Sequence, residues 1–331
     1  MTPPVALTLG DPSGVGGEIA LRARAALPDG PAFFLIGDLR HMTALGARLG
    51  QAVRPIADPR EAAAAYPAGL PVLDHPLPRP PVLGAPAPEN APAVVEAIMR
   101  GVGLVRAGAA LALCTGPIHK RALQEGAGFA FAGHTEFLAH LCGAPRPVMM
   151  LAAPMLRVIP ATVHIPLAAA SAALTQPLLE ETLRIARAAL IADFGVAAPR
   201  IAVAGLNPHA GEGGAIGREE IEVIAPVLDR LRAEGFALEG PASADSLFHA
   251  AARARYDAAV CMYHDQALIP IKTLDFAGAV NVTLGLDFVR TSPDHGTAHD
   301  IAVALRADPS SLVAALRLAH DLGLRRRAAP G

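Results

Sequence analysis

Three of the twelve histidines share one context. His164 closes the run "RVIPATVH", His209 follows "RIAVAGLNP" and His264 follows "AAVCMY", so each lies just past an apolar segment of strand character. Neutral imidazoles are the commonest ligands of zinc-like ions, and three of them with one open position make a catalytic rather than a structural site. The competing reading for each is a loop residue that only hydrogen-bonds nearby backbone. His209 stands in "GLNPHAGEGG", whose glycines are compatible with a phosphate cradle, a metal loop or a plain turn.

A second group points to anions. "GHTEFLAHLC" begins a helical segment at His134 and Thr135, where backbone N–H groups attract negative charge and the threonine hydroxyl adds a donor or simply caps the helix. Lys272, Asn281 and Arg290 fall near the ends of the last strand-like runs, and an ammonium, an amide and a guanidinium can together hold a phosphate and a carboxylate. His119 and Lys120 in "TGPIHK" offer an anion contact or an ordinary surface loop. His295 and His299 in "DHGTAHD" are spaced i, i+4, but no glutamate follows as in H-E-x-x-H, and His299 is expected to face solvent at a helix start. No G-x-x-x-x-G-K-[ST] occurs, and "GEGGAIG" misses G-x-G-x-x-G by one residue, so neither a P-loop nor an ordinary Rossmann fingerprint is supported.

The elements that must carry these residues are alternating strands and helices. Strands are expected at "VALTL", "AFFLIG", "ALALCT", "PVMMLA", "RVIPATVH", "RIAVAGL", "AAVCMY" and "AVNVTL". "LLEETLRIARAALIADFG" places Leu179, Leu183, Ala186 and Leu190 on one helical face and stops at Gly195; "REEIEVIAPVLDRLRAEG" opens on acids that complement a helix dipole and stops before Gly235. The pattern is α/β with largely parallel sheets. In open parallel sheets ligands bind at the carboxyl ends of strands, so three distant histidines in that position can converge. The proline-rich stretch Pro67 to Pro92 is read as an extended surface connection.

Composition narrows the function. A chain of 331 residues suits about two domains with a cleft. A net charge of −2 without basic blocks argues against nucleic acid, as does the lack of tryptophan platforms. No apolar stretch reaches the roughly 20 residues of a membrane span, and the N-terminus has no signal-peptide pattern. Cys114, Cys142 and Cys261 lie far apart with no C-x-x-C, which reads as buried thiols in a reducing cytoplasm.

In order, and across nearly the whole chain, "TLGDPSGVGGE", "TGPIHK", "GHTEF", "ATVHIPL", "GLNPHAGEGG", "ADSLF", "MYHDQALIPIK" and "VNVTLGLDFVRTSPDHGTA" resemble the 4-hydroxythreonine-4-phosphate dehydrogenase family of vitamin B6 biosynthesis. More distantly, "GDPSGVGGE" and "DHGTAHDIA" resemble the first loop and the cofactor loop of isopropylmalate and isocitrate dehydrogenases. The resemblance implies that type of two-domain α/β/α fold, without the Rossmann fingerprint and with the active site in the interdomain cleft. One domain would comprise residues 1–120 and 275–331, the other residues 121–274 with the histidines.

It also implies roles. His164, His209 and His264 would be ligands of a divalent ion (zinc, cobalt or magnesium), with Asp245 beside them. His134, Thr135, Lys272, Asn281 and Arg290 would bind substrate, Lys272 also being the candidate for proton delivery. By analogy, His295, Gly296, Thr297 and Asp300 would line the pocket of NAD or NADP. The expected reaction is oxidation of 4-phosphooxy-L-threonine to a β-keto acid that decarboxylates to 3-amino-2-oxopropyl phosphate, in a homodimer with its active site at the subunit interface. Relatives acting on four-carbon sugar-acid phosphates or cis-dihydrodiol carboxylates are the alternative; a phosphate acyltransferase or a noncatalytic binding module are further ones.

Overall fold

The structure, a computed structural model, describes residues 2–328. The strands in chain order are β1 Val5–Thr8, β2 Phe33–Gly37, β3 Val53–Ile56, β4 Leu70–Asp74, β5 Leu113–Thr115 and β6 Val148–Ala153. There follow β7 Leu156–Pro160, β8 Arg200–Ala204, β9 Ala237–Ala242, β10 Ala258–Cys261, β11 Val280–Leu284 and β12 Arg290–Pro293. The longer helices are α1 Gly16–Ala26, α2 Leu39–Leu49, α3 Ala91–Arg106, α4 Lys120–Ala127, α5 His134–Cys142, α6 Gln176–Ala192, α7 Ala225–Ala233, α8 His264–Leu274 and α9 Ser310–Ala328. The chain forms two compact units, one of residues up to Pro145 with Leu286–Ala328, the other Arg146–Gly285.

In the first unit six strands run parallel in the order β3-β4-β2-β1-β5-β12. β1 and β2 are buried throughout, which is why they read as unbroken apolar runs rather than alternating ones. β4 corrects the reading of Pro67 to Pro92 as surface connection: Leu70, Val72 and Leu73 are buried between β2 and β3, and the flanking prolines had hidden a four-residue apolar run. α4 and α5 also belong to this unit rather than to the histidine-bearing one. Leu123, Phe129, Phe137 and Leu138 join Phe34, Ile36 and Ile98 in one core cluster, so the boundary falls after Pro145 and not after residue 120.

In the second unit the order is β11-β6-β7-β10-β8-β9. β6 and β7 form an antiparallel hairpin and β11 pairs antiparallel with β6, while β7, β10, β8 and β9 are parallel neighbours. α6 buries Leu179, Leu183, Ala186 and Leu190, capped at its start by the Thr175 hydroxyl, which accepts from the Leu178 N–H. Glu220–Ile224 form a π-helical turn that runs straight into α7. Of the three histidine-bearing strands, β7 ends at Pro160, earlier than expected, so His164 lies in the following loop.

Phe129, Phe131 and Phe137 meet at centroid distances of 5.1 to 5.3 Å, fixing α5 to the first unit's core. Phe137→Ala should therefore cost about 3–5 kcal/mol of stability. Urea unfolding checks this; a loss below ~1 kcal/mol would show that α5 is not anchored as described.

Candidate active site

β7, β10 and β8 lie side by side and parallel, so their carboxyl ends share one edge, and the loops leaving that edge carry His164, His264 and His209. Two hydrogen-bonded ties hold the loops together. The buried Thr162 hydroxyl donates to the Met262 carbonyl at 2.7 Å. The Gln266 amide accepts from Met262 N–H at 2.7 Å and donates to the Gly205 carbonyl at 2.8 Å, joining the β10 loop to the β8 loop.

Backbone conformation turns the imidazoles outward. His164 has φ 46° and His209 φ 51°, left-handed values that cost a non-glycine residue about 1–2 kcal/mol each and persist only where the surroundings impose them. His164 and His264 face each other with ring centroids 5.7 Å apart and line a cavity of about 220 Å³ with Thr162, Tyr263 and Asp265. His264 Nδ1 lies 2.7 Å from Asp265 Oδ1. A carboxylate only accepts, so Nδ1 carries the proton and Nε2 keeps the lone pair, the arrangement that prepares a histidine as a metal ligand.

His209 lies beside Asp245, on the short turn Ala244–Ser246 after β9. The Asp245 carboxyl is held below its ordinary value, first by the Ser243 hydroxyl donating at 2.5 Å and further by the nearby His209. The single chain thus presents His164 with His264, and His209 with Asp245. Among the described residues no three His, Cys, Asp or Glu side chains gather closely enough to hold an ion. The donor chemistry still fits a divalent ion that accepts imidazole: two exposed histidines in imposed backbone conformations, and a third with its lone pair fixed.

The first unit builds a separate cationic group. Arg290 is 3% exposed on β12 and donates to the Thr115 hydroxyl at 2.7 Å. Burial pulls its guanidinium down to about 10. His134 opens α5, and its Nε2 is shielded from solvent with no hydrogen-bond partner. Burial first, then the neighbouring Arg290 and Lys120 charges, hold its imidazole well below the ordinary value. No side chain caps that end of α5, where Gly133 occupies the N-cap and Thr135 the first turn. Lys120 was readable in "TGPIHK" only as one of two options; its influence on His134 brings it into this group.

In the second unit Lys272 lies on α8, two turns after His264, with its Nζ 5.6 Å from the Phe276 ring centroid. Asn281 is on β11 with its Oδ1 buried and unpartnered.

The segment "DHGTAHD" docks on the first loop. Val15 N–H donates to the Thr297 carbonyl, and His295 Nδ1 lies 2.9 Å from the Gly296 carbonyl; Gly296 and Asp300 are exposed. His299 does not face solvent as expected. Its Nε2 is 3.0 Å from Asp11 Oδ2, and it meets His119 edge-on at 5.1 Å; the partners are too far apart in sequence for local spacing to reveal them. His119 itself caps α4, its Nδ1 accepting from Ala122 N–H.

The family model "Pyridoxal phosphate biosynthetic protein PdxA" matches residues 31–319. A 4-hydroxythreonine-4-phosphate dehydrogenase of Paracoccus denitrificans is 55% identical over 329 residues, 98% of each chain. The chain belongs to this PdxA family. Among solved structures, the 4-hydroxythreonine-4-phosphate dehydrogenase of Klebsiella pneumoniae is similar with TM-score 0.88 and 38% identity, over 97% of this chain and 99% of that one. A terephthalate 1,2-cis-dihydrodiol dehydrogenase from Burkholderia xenovorans is similar with TM-score 0.65 and 32% identity, over 96% and 98%. As a PdxA-family member the chain is an oxidoreductase of the dehydrogenase class, which implies a nicotinamide cofactor and a divalent ion. No helix among the described residues is long and apolar enough to cross a membrane.

The half-buried His134, with its Nε2 shielded from solvent, gives a pH prediction. Its folded-state value is depressed, so below about 6.5 the unfolded chain takes up a proton that the folded chain refuses, and stability falls as pH drops. Between pH 7.5 and 5.5 the wild type should lose about 1 kcal/mol more than His134→Gln in urea unfolding. Equal losses in both proteins would contradict the burial described.

Proposed function

We propose that the chain oxidises the secondary alcohol of 4-phosphooxy-L-threonine with NAD or NADP, giving a β-keto acid that loses CO₂ to form 3-amino-2-oxopropyl phosphate. The observation that carries this reading is full-length identity of 55% to a curated enzyme of that name, together with the cationic group that Lys120, His134 and Arg290 form. His164, His209 and His264 would hold a divalent ion, which would supply Lewis acidity toward the alcohol and charge stabilisation during decarboxylation, and a bound nicotinamide would supply the hydride acceptor.

The chain's own residues bind and orient. Arg290 and His134 hold the phosphate with the first-turn N–H groups of α5 and Thr135, a set of directed donors in a partly dry site. Neutral His134 donates or accepts there without adding charge. Asn281 adds an amide, and Lys272 either binds the carboxylate or delivers the proton to the carbon that CO₂ leaves. Asp245 stays ionised beside His209 and orients it. His295, Gly296, Thr297 and Asp300 line the cofactor pocket in this reading, and the imidazole set favours zinc or cobalt over magnesium.

We place the enzyme in the cytoplasm as a homodimer. The absence of a three-ligand group within one chain, among the described residues, supports a site completed by a second copy. So do the large apolar side chains exposed just after His164, Ile165 at 40% and Leu167 at 70%. Three free cysteines accord with a reducing compartment. The likeness to the cis-dihydrodiol dehydrogenase is weaker in both identity and TM-score, and the retained phosphate-binding group disfavours that unphosphorylated substrate class.

The direct test mixes purified protein, 4-phosphooxy-L-threonine, NAD or NADP and a divalent ion, and follows reduced-nicotinamide absorbance with and without chelator. Chelator-sensitive reduction is expected; activity only with a threonate or erythronate phosphate would overturn the substrate assignment. Arg290→Lys should raise KM for the phosphorylated substrate roughly 10- to 100-fold, since a point charge replaces a planar fork of donors.

A further inference from the structure

The loop bearing His209 departs from ordinary backbone over five consecutive residues. His209, Ala210, Gly211, Glu212 and Gly213 have φ of 51°, 51°, 79°, 43° and 64°. Three of the five are not glycine, so something outside the loop must hold this shape.

That support is a pair of adjacent acids at the π-helical turn. The Glu220 carboxylate is buried and accepts twice from Asn207, from the backbone N–H at 2.8 Å and from the side-chain amide at 2.9 Å. Asn207 stands two residues before His209. The same amide donates to Glu219 at 2.8 Å. The other Glu219 oxygen accepts from the Ser171 hydroxyl, on the short helix Ala170–Ala173 that follows the His164 loop. Hydrogen bonds to both neighbours hold Glu219 down to about 2.

Two glycines are explained by this contact rather than by a ligand. A Cβ on Gly211 would lie 2.7 Å from a Glu220 oxygen, and one on Gly217 would lie 2.2 Å from the Asn207 amide. π-Helical turns are rare and are frequently found at functional sites. Here the turn begins at Glu220 itself.

We propose that Glu219 and Glu220 are positioning residues for the metal centre. Glu220, through Asn207, imposes the left-handed conformation that presents His209, and Glu219, through Ser171, ties that loop to the segment carrying His164. The proposal rests on the reading of His164 and His209 as ligands of a divalent ion. It also corrects the expectation that these acids serve the helix dipole: the Glu220 carboxylate is turned into the β8 loop.

Co²⁺ binding to the full-length protein, followed by visible absorbance, tests this. Glu220→Gln, near in size but with an amide where an acceptor is required, should bind Co²⁺ about 10- to 100-fold more weakly and change the d–d spectrum, with far-ultraviolet circular dichroism unchanged. Ser171→Ala, at the exposed end of the bridge, should weaken binding severalfold, and combining it with Glu219→Gln should add little, because both remove one connection. Should Glu220→Gln fail to fold, the exposed Ser171→Ala and its double variant decide. Wild-type Co²⁺ affinity and spectrum in the folded variants would overturn the proposal. His209→Ala separates the two layers: its loss of Co²⁺ alongside unaffected clamp variants refutes the clamp alone, whereas its retention of Co²⁺ refutes the metal assignment beneath it.

Discussion

The second unit depends on one constraint: three parallel strands must end at the same edge and stay in register there. β7, β10 and β8 meet it through their ladder, and Thr162 and Gln266 carry the alignment one step beyond the ladder into the loops. Each tie joins a side chain to a backbone carbonyl on another loop, and Thr162 is buried, so losing one leaves a polar group without its partner as well as a loop without its anchor. The imidazoles lie at the surface, but the backbone that aims them is bonded inward.

The first unit solves a different problem, that of placing positive charge where water is scarce. Arg290 occupies a strand position that apolar side chains usually fill, and it donates there to the Thr115 hydroxyl. Burial lowers its guanidinium and, with Arg290 and Lys120 nearby, keeps His134 neutral. In the proposed reading a buried guanidinium beside an ammonium suits an anion with several acceptor oxygens. This accords with phosphorylated substrates and with the names of the curated relatives.

Most strands were legible because a buried parallel strand is an apolar run, and the strand-end histidines were legible for the same reason. What escaped the sequence has specific causes. β3 and β9 are edge strands with half-exposed residues, β4 is disguised by prolines, and β12 is a buried strand with polar residues, in which Arg290 donates to the Thr115 hydroxyl and the Thr291 hydroxyl to the Ala315 carbonyl. The proposed metal-ligand set rests on strand-end placement and family resemblance together. The pairing of His299 with Asp11 and of Glu220 with Asn207 could not, since each depends on how separate loops meet. "GLNPHAGEGG" shows the limit well: its glycines suggested a phosphate cradle, yet Gly211 is small because a carboxylate presses on it.

The central claim is that loops leaving three neighbouring strands supply the ligands of one metal centre. Anomalous diffraction at the cobalt edge, from crystals grown with Co²⁺, tests it most directly. The account predicts one dominant peak bonded by the imidazoles of His164, His209 and His264, drawn from one or two copies of the chain. A peak that omits any of these histidines, or lies away from the carboxyl edge of β7, β10 and β8, would contradict it.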